Sequence, residues 1–245
     1  MSVPSALPAP QEERALPHRG PRAARDHTRA PGGLSLRCRA DVSANWLLLL
    51  QTLTNLTAIP PGDGLPRGWT LETVRGAPAP RFRLTRNHFL HLEHVSGAGF
   101  ARYRLRQPVP PPVRKGTLTW GWQTATPVNT ATLRQRARDD SPVRIFVQFA
   151  DGRMILYTWG NTEGRGEAFL SPTSHLRAVV VLERAEDADG SWHVERRDPF
   201  ADYRRAFNRA PKAIVAVGVA TDTDQIGGRA LAEVGDLEWQ PGASP

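Results

Sequence analysis

The first residues suited to bind a ligand lie on one side of a strand-like segment, 142–150, where two of them are polar. Arg144, Phe146 and Gln148 alternate with apolar residues there, and a strand sends alternate side chains to opposite sides. The apolar set, which predicts a core face, is Val143, Ile145, Val147 and Phe149. Asp139 and Asp140 directly precede the segment. The pattern predicts a polar, concave face, although an Asp140–Arg144 pair could equally serve architecture alone.

A second acidic set ends the segment 213–222. Asp222 and Asp224 follow small residues on the same side of this predicted strand, an arrangement that leaves room for a ligand. The small residues are Ala216, Gly218 and Ala220, with Ile214 before them. Asp222 and Asp224 could bind structural calcium, contact a ligand directly or bond to loop backbone. Two carboxylates followed by Gly227 and Gly228 resemble a calcium loop, although the spacing of an EF-hand is absent. Calcium is the one cofactor that the pattern indicates, and no other is expected.

Aromatic residues offer a third candidate surface. Trp122 lies on one side of its predicted strand, and Tyr157 shares a side with Trp159. Aromatic platforms stack on sugar rings and on cations, but the same residues also fill sandwich cores. Both interpretations stay open for Trp122, Tyr157 and Trp159.

Three histidines resemble a metal cluster by spacing alone. His88, His91 and His94 lie within a segment typical of a strand, so His91 should face away from the other two. We therefore do not expect a metal site there. The zincin, P-loop, Rossmann and Gly-x-Ser-x-Gly patterns do not occur in the sequence.

Composition narrows the function classes further. The net charge is +8, but two of the 32 basic residues are Lys and half of the excess lies in residues 1–40. Together with the many Ala, Pro and Gly residues, this Arg bias indicates the composition of a GC-rich coding sequence rather than selection for phosphate contacts, so nucleic acid is not the expected partner. The single Cys38 excludes an intrachain disulfide or a cysteine zinc site. Apolar runs fall short of the roughly 20 residues of a membrane span, and Met1 is not followed by a standard signal peptide.

The elements that position these residues follow from periodicity. Residues 1–40 are rich in Arg and Pro and predict a disordered leader. Residues 41–64 predict a helix near 43–58 and a Pro/Gly linker, and 65–240 predict a mainly β domain with one short helix near 199–209. Period-two segments separated by turns occur near 79–84, 88–95, 100–106, 116–124, 142–150, 153–159, 176–183, 191–197, 213–222 and 232–239. Their number predicts an antiparallel, jelly-roll-like β-sandwich.

An ordered set of short motifs adds a family resemblance. They are Gly68-Trp69, Leu118-Thr119-Trp120-Gly121-Trp122, 139–147, Tyr157-Thr158-Trp159-Gly160, 198–207 and Thr221-Asp222-Thr223-Asp224. Over about residues 65–239 the chain resembles the bacterial domain-of-unknown-function family 3047. The resemblance implies no established activity. It implies an exported protein, an expectation from which the Arg/Pro leader departs.

Three functions follow as hypotheses. The first is a non-catalytic binding module for a carbohydrate or other small polar ligand, which would present on one face Trp122, Arg144, Tyr157, Trp159, Asp222 and Asp224. The second is a polysaccharide hydrolase or lyase that uses Asp139, Asp140, Arg144 and Asp222. The third is an interaction protein that docks through its basic leader. The sequence favours the first.

Overall fold

The computed structural model describes residues 50–112 and 115–242, and the predicted leader 1–40 lies outside them. Fifteen strands and one α-helix occur in this part of the chain. They are β1 (Gln51–Thr52), β2 (Gly62–Asp63), β3 (Trp69–Thr73), β4 (Arg81–Leu84), β5 (Leu90–Val95), β6 (Ala98–Val109), β7 (Thr117–Thr124), β8 (Ser141–Phe149), β9 (Met154–Trp159), β10 (Ala168–Ser171), β11 (Ser174–Glu183), β12 (His193–Arg197), α1 (Pro199–Phe207), β13 (Ile214–Asp222), β14 (Arg229–Val234) and β15 (Glu238–Gln240).

Two sheets form the predicted sandwich. The eight-stranded sheet has the order β1-β15-β7-β14-β5-β4-β2, with β12 on the other side of β7. The seven-stranded sheet has the order β10-β11-β9-β8-β13-β6-β3. Every pairing is antiparallel except β9 with β11, because β10 and its loops return the chain to the same end of the sheet. The mainly β sandwich is therefore confirmed with one parallel pair, and the jelly-roll connectivity stays a prediction.

The main core lies between the sheets and follows the two-residue alternation. Val143, Ile145, Val147 and Phe149 of β8 are fully buried there, as predicted. A second, smaller cluster covers the outer face of the seven-stranded sheet, where Leu133 packs with Phe146 and Leu156. Phe146 is therefore buried as well, because the chain around Leu133 folds over this end of the sheet.

The short helix is set by local capping. Asp198 accepts hydrogen bonds from the backbone N–H groups of Phe200 and Ala201, both at 3.0 Å, and Pro199 takes the first helical position. Asn208 adopts the left-handed conformation (φ 50°) and ends the helix at Phe207. The predicted helix near 199–209 is confirmed and ends two residues earlier than expected.

The helix predicted near 43–58 is wrong in its described part, residues 50–58. These residues form β1 and a single 3₁₀ turn. Asp236 accounts for the difference, because its carboxylate accepts hydrogen bonds from the Thr54 hydroxyl (2.8 Å) and the Leu56 N–H (2.6 Å). Asn55 adopts a left-handed conformation (φ 49°), which breaks the helical period.

The alternation along β13 also differs from the prediction at its start. The register shifts between Ile214 and Ala216, so Ile214 joins the main core rather than the side of Asp222. Among the described residues, no helix is long and apolar enough to cross a bilayer.

Candidate functional site

The structure brings together the five charged residues that the sequence singles out. Arg144 donates to the Asp139 carboxylate at 2.8 Å and lies 3.7 Å from the Asp222 carboxylate. Oxygen atoms of Asp140, Asp222 and Asp224 all lie within 4.8 Å of one another. We call these five residues the Arg144 cluster. It lies where β8 begins beside the end of β13.

Most of the Arg144 cluster is inaccessible. Asp139, Asp140 and Arg144 are buried, and only Asp222 (22% of its side chain exposed) and Asp224 reach the surface. Asp140 accepts hydrogen bonds from the N–H groups of Gln225 (3.2 Å) and Ile226 (2.9 Å). These contacts of Asp140 hold the 223–228 loop against the start of β8.

Burial raises the pKa values of acidic residues in the Arg144 cluster, and like charge adds to the effect. Burial raises the pKa of Asp222 to about 8 against the opposing charge of Arg144, with further increases from Asp224 and Asp140. Burial likewise raises the pKa values of Asp139 and Asp140. Oδ1 of Asp222 is buried with no hydrogen-bond partner in the described chain. A hard cation would fit these oxygens, but Arg144 competes with it. Calcium at Asp222 and Asp224 thus stays a prediction.

The predicted aromatic residues do not join the Arg144 cluster. Trp122, Tyr157 and Trp159 are fully buried in the core between the sheets, on the side of their strands opposite to Arg144. Trp122 packs against Trp159 with ring centroids 5.3 Å apart, and the Tyr157 hydroxyl donates to Asp202 at 2.9 Å. The expectation that these residues share a face with Arg144 is wrong, because the sandwich needs them as core.

The three histidines separate as the alternation requires. His88 lies in the turn before β5, with φ 60°. His94 is buried, contacts the Thr221 hydroxyl at 2.5 Å and has its pKa lowered to about 4 by burial. His91 faces the outer side of the eight-stranded sheet. They form no metal-binding group within residues 50–112 and 115–242.

The outer side of the eight-stranded sheet carries a row of aromatic residues that the sequence did not reveal. Trp192, 40% exposed, packs on Phe89 with ring centroids 4.4 Å apart. It lies over Gly121, where an added Cβ would approach the indole to 3.3 Å. The Gly235 N–H donates to the Gly121 carbonyl, so bare backbone lies under both rings.

A polar row lies next to the aromatic row. Gln123, Glu233, His91 and Arg83 are in register across β7, β14, β5 and β4. The Glu233 carboxylate accepts from the Gln123 amide at 2.7 Å and contacts His91 Nδ1 at 3.3 Å. Gln123 and Gly121 are two residues apart on one strand, about 7 Å. We call the aromatic and polar rows together the outer groove.

Depressions extend along the outer groove. One of about 200 Å³ is lined by Gln123, Glu233, His91 and Gly190. A second, of about 520 Å³, shares His91 and continues to Arg81 and Arg83. A third depression, of about 620 Å³, lies apart from these two at the other end of β7, beside Thr119 and Arg196. The first two depressions therefore offer space and hydrogen-bonding groups next to the aromatic row.

The sequence contains a partial signal for this groove. Along β7, Thr119, Gly121 and Gln123 alternate with the buried Leu118, Trp120 and Trp122. The polar side of that alternation is the groove floor. Trp192 gives no such signal, because it precedes β12 and its neighbours across the sheet are distant in sequence.

The fold and the groove together define a two-sheet β-sandwich domain with a candidate ligand-binding face. The chain belongs to the family described as "Protein of unknown function (DUF3047)", whose model matches residues 67–238. No curated protein sequence matches the chain.

Three solved structures are similar to the chain at low identity. The family 11 carbohydrate-binding module from Clostridium thermocellum, in complex with a β-1,3-1,4-mixed-linked tetrasaccharide, is 11% identical, with 73% of this chain and 92% of that chain covered and a TM-score of 0.38. The xyloglucanase domain of NopAA, a type three effector from Sinorhizobium fredii, is 9% identical, with 80% and 99% covered and a TM-score of 0.41. An exo-beta-agarase is 9% identical with a TM-score of 0.37, and the match covers 80% of this chain and a quarter (25%) of the agarase.

Proposed function

We propose that the chain is a non-catalytic binding module that takes a carbohydrate in the outer groove. The observation that carries this proposal is the exposed Trp192, held on Phe89 above the bare backbone of Gly121 beside the row of Gln123, Glu233 and His91. This arrangement suits a ligand with one apolar face and many hydroxyl groups.

The aromatic row supplies the apolar contact. One face of a pyranose ring presents C–H groups, which pack favourably on an indole ring because that ring is large, flat and electron-rich. Phe89 fixes Trp192 on one side, so little conformational entropy remains to be lost when a sugar binds.

The polar row supplies hydrogen bonds that would orient the ligand. Glu233 holds the Gln123 amide and His91 in place, and these groups still have unused donors and acceptors for sugar hydroxyls. Gln123 lies about 7 Å from Gly121, so one sugar ring can stack on Trp192 while the next ring of the oligosaccharide reaches Gln123. Shape and hydrogen bonding together would select the ligand.

The burial of the predicted acids favours binding over catalysis. Asp139 and Asp140 are buried and hydrogen-bonded to other protein groups, which leaves them no access to a substrate. Of the four residues predicted for a hydrolase or lyase, Asp222 alone reaches the surface, so no second predicted carboxylate is accessible beside it for acid–base catalysis. The third hypothesis, docking through the basic leader, concerns residues outside the described chain.

The proposal is tested by isothermal titration calorimetry against soluble β-glucan, xylan, mannan and agarose-derived oligosaccharides. At least one should bind the wild-type protein, and Trp192→Ala and Gln123→Ala should each weaken that binding. Leu170→Ala, which removes exposed apolar surface from the other sheet, should bind normally. Equal affinity of the wild type and both groove variants would contradict the proposal.

A further inference from the structure

The outer face of the seven-stranded sheet is concave. Arg177 on β11 and Phe100 on β6 are separated by three strands in the sheet order, β9, β8 and β13. The Arg177 guanidinium nevertheless lies 5.3 Å from the centre of the Phe100 ring. Strands are about 4.8 Å apart, so side chains four strands apart meet only where the sheet curves strongly.

Side chains pack closely against bare backbone on the floor of this hollow. Phe146 lies across β13 at Gly218, where an added Cβ would come within 2.6 Å of the Phe146 ring and 2.1 Å of the Ala101 carbonyl oxygen. Phe100 then packs edge-on against Phe146, with centroids 5.9 Å apart. The two rings form a rigid base beneath Arg177.

Three arginines lie on this face of the sheet, Arg102, Arg144 and Arg177, and the first two are paired with other residues of the protein. Arg102 forms a two-point ion pair with Glu72 (2.5 and 2.8 Å) and also donates to Gln148. Arg144 pairs with Asp139. Both guanidinium groups are therefore committed to internal partners.

Arg177 differs from the other two. It makes no hydrogen bond or ion pair with any residue of the described chain, although it is partly buried against Phe100. Burial, followed by the charge of Arg144, lowers its pKa, and the charges of Asp139 and Glu72 act in the opposite direction. A partly desolvated guanidinium with free N–H groups is stabilised when an anion binds to it.

We propose that Arg177, held on Phe100 and flanked by Arg102 and Gln148, is a binding site for the carboxylate or sulfate group of an acidic sugar. Arg177 donates two parallel N–H groups to the oxyanion, which a planar guanidinium does well. Gln148 lies in the same cross-strand row as Arg177, two strands away, with Met154 between them. Its amide N–H groups supply donors to adjacent hydroxyls.

This site lies on the sheet opposite to the outer groove, so the two proposals are independent. The probes are a galacturonate oligosaccharide for the carboxylate, a sulfated oligosaccharide of similar length and sodium sulfate for the free ion. Affinities are measured by calorimetry with the full chain at two salt concentrations, because a charge-assisted contact weakens as salt rises. Tighter binding of an oligosaccharide than of sodium sulfate assigns the site to an acidic sugar.

The variants separate a specific site from general positive charge. Arg177→Ala should weaken binding of the acidic oligosaccharide at least tenfold, and Arg177→Lys should restore only part of it, because an ammonium cannot form the two-point contact. Arg209→Ala removes one exposed charge elsewhere and should change little. Trp192→Ala should leave this binding intact.

Two results would overturn the proposal. One is the absence of binding by both acidic oligosaccharides and by sulfate. The other is equal weakening by Arg177→Ala and Arg209→Ala, which would reduce the effect to net charge. Circular dichroism of each variant confirms that the fold is retained, so a loss of binding is assigned to the site.

Discussion

Replacement of Trp192 by Ala should remove most of the apolar contact between the outer groove and its ligand. An indole side chain offers about 250 Å² of surface, and 40% of Trp192 is exposed, so roughly 100 Å² is open to a ligand. At about 25 cal/mol per Å², complete coverage contributes about 2.5 kcal/mol. A sugar covers roughly half of an exposed ring, so we expect a loss of about tenfold in affinity.

The assay compares Kd values of the wild type, Trp192→Ala and Trp192→Phe for the tightest-binding neutral oligosaccharide. Trp192→Phe keeps a smaller platform and should lie between the other two. Chemical denaturation of each variant accompanies the binding data, because loss of the Phe89 contact also costs about 1 kcal/mol of stability. An Ala variant that stays folded and binds as tightly as the wild type would refute the reasoning.

Three further predictions concern the scaffold. Burial, and after it the hydrogen bond and charge of Glu183, raise the pKa of Glu195 from 4.5 to about 7. Because the folded state binds this proton more tightly than the unfolded state, the free energy of unfolding should fall between pH 4.5 and 7. Glu195→Gln should flatten that decline and raise the free energy of unfolding at pH 8 by roughly 1–2 kcal/mol, measured by urea unfolding. Gly218→Ala should cost about 1–3 kcal/mol, because its methyl group clashes with Phe146, and a normal Tm would contradict this. Millimolar calcium should raise the Tm of the wild type but not of Asp222→Asn, and an equal shift in both would place the ion elsewhere.

Local chemistry made much of the scaffold predictable. The alternation of Val143 to Phe149 assigned the core face of β8, and Asp198 with Pro199 fixed the start of the helix. These patterns depend on residues that are close in sequence, so they can be read without knowledge of the tertiary structure. The register shift at Ile214 and the contacts of Asp236 with residues 54 and 56 depend on partners far along the chain, so no local pattern announces them.

The candidate site was predicted in part for the same reason. Alternation placed Arg144 and Asp222 on one side of their sheet, and the structure brings them together. Burial of that cluster comes from loops around Leu133 and Ile226, which periodicity does not describe. Trp192 meets Phe89 only through the pairing of distant strands.

Tryptophan indole signals offer the most direct measurement of the central claim. The sequence has seven tryptophans, and among the six in the described residues only Trp192 is exposed, while Trp69, Trp120, Trp122, Trp159 and Trp239 are buried. In ¹H–¹⁵N spectra of the chain titrated with a neutral oligosaccharide, the cross-peak that disappears in Trp192→Phe should show the largest shift. Saturating ligand that shifts only buried indoles, or none, would contradict carbohydrate binding in the outer groove.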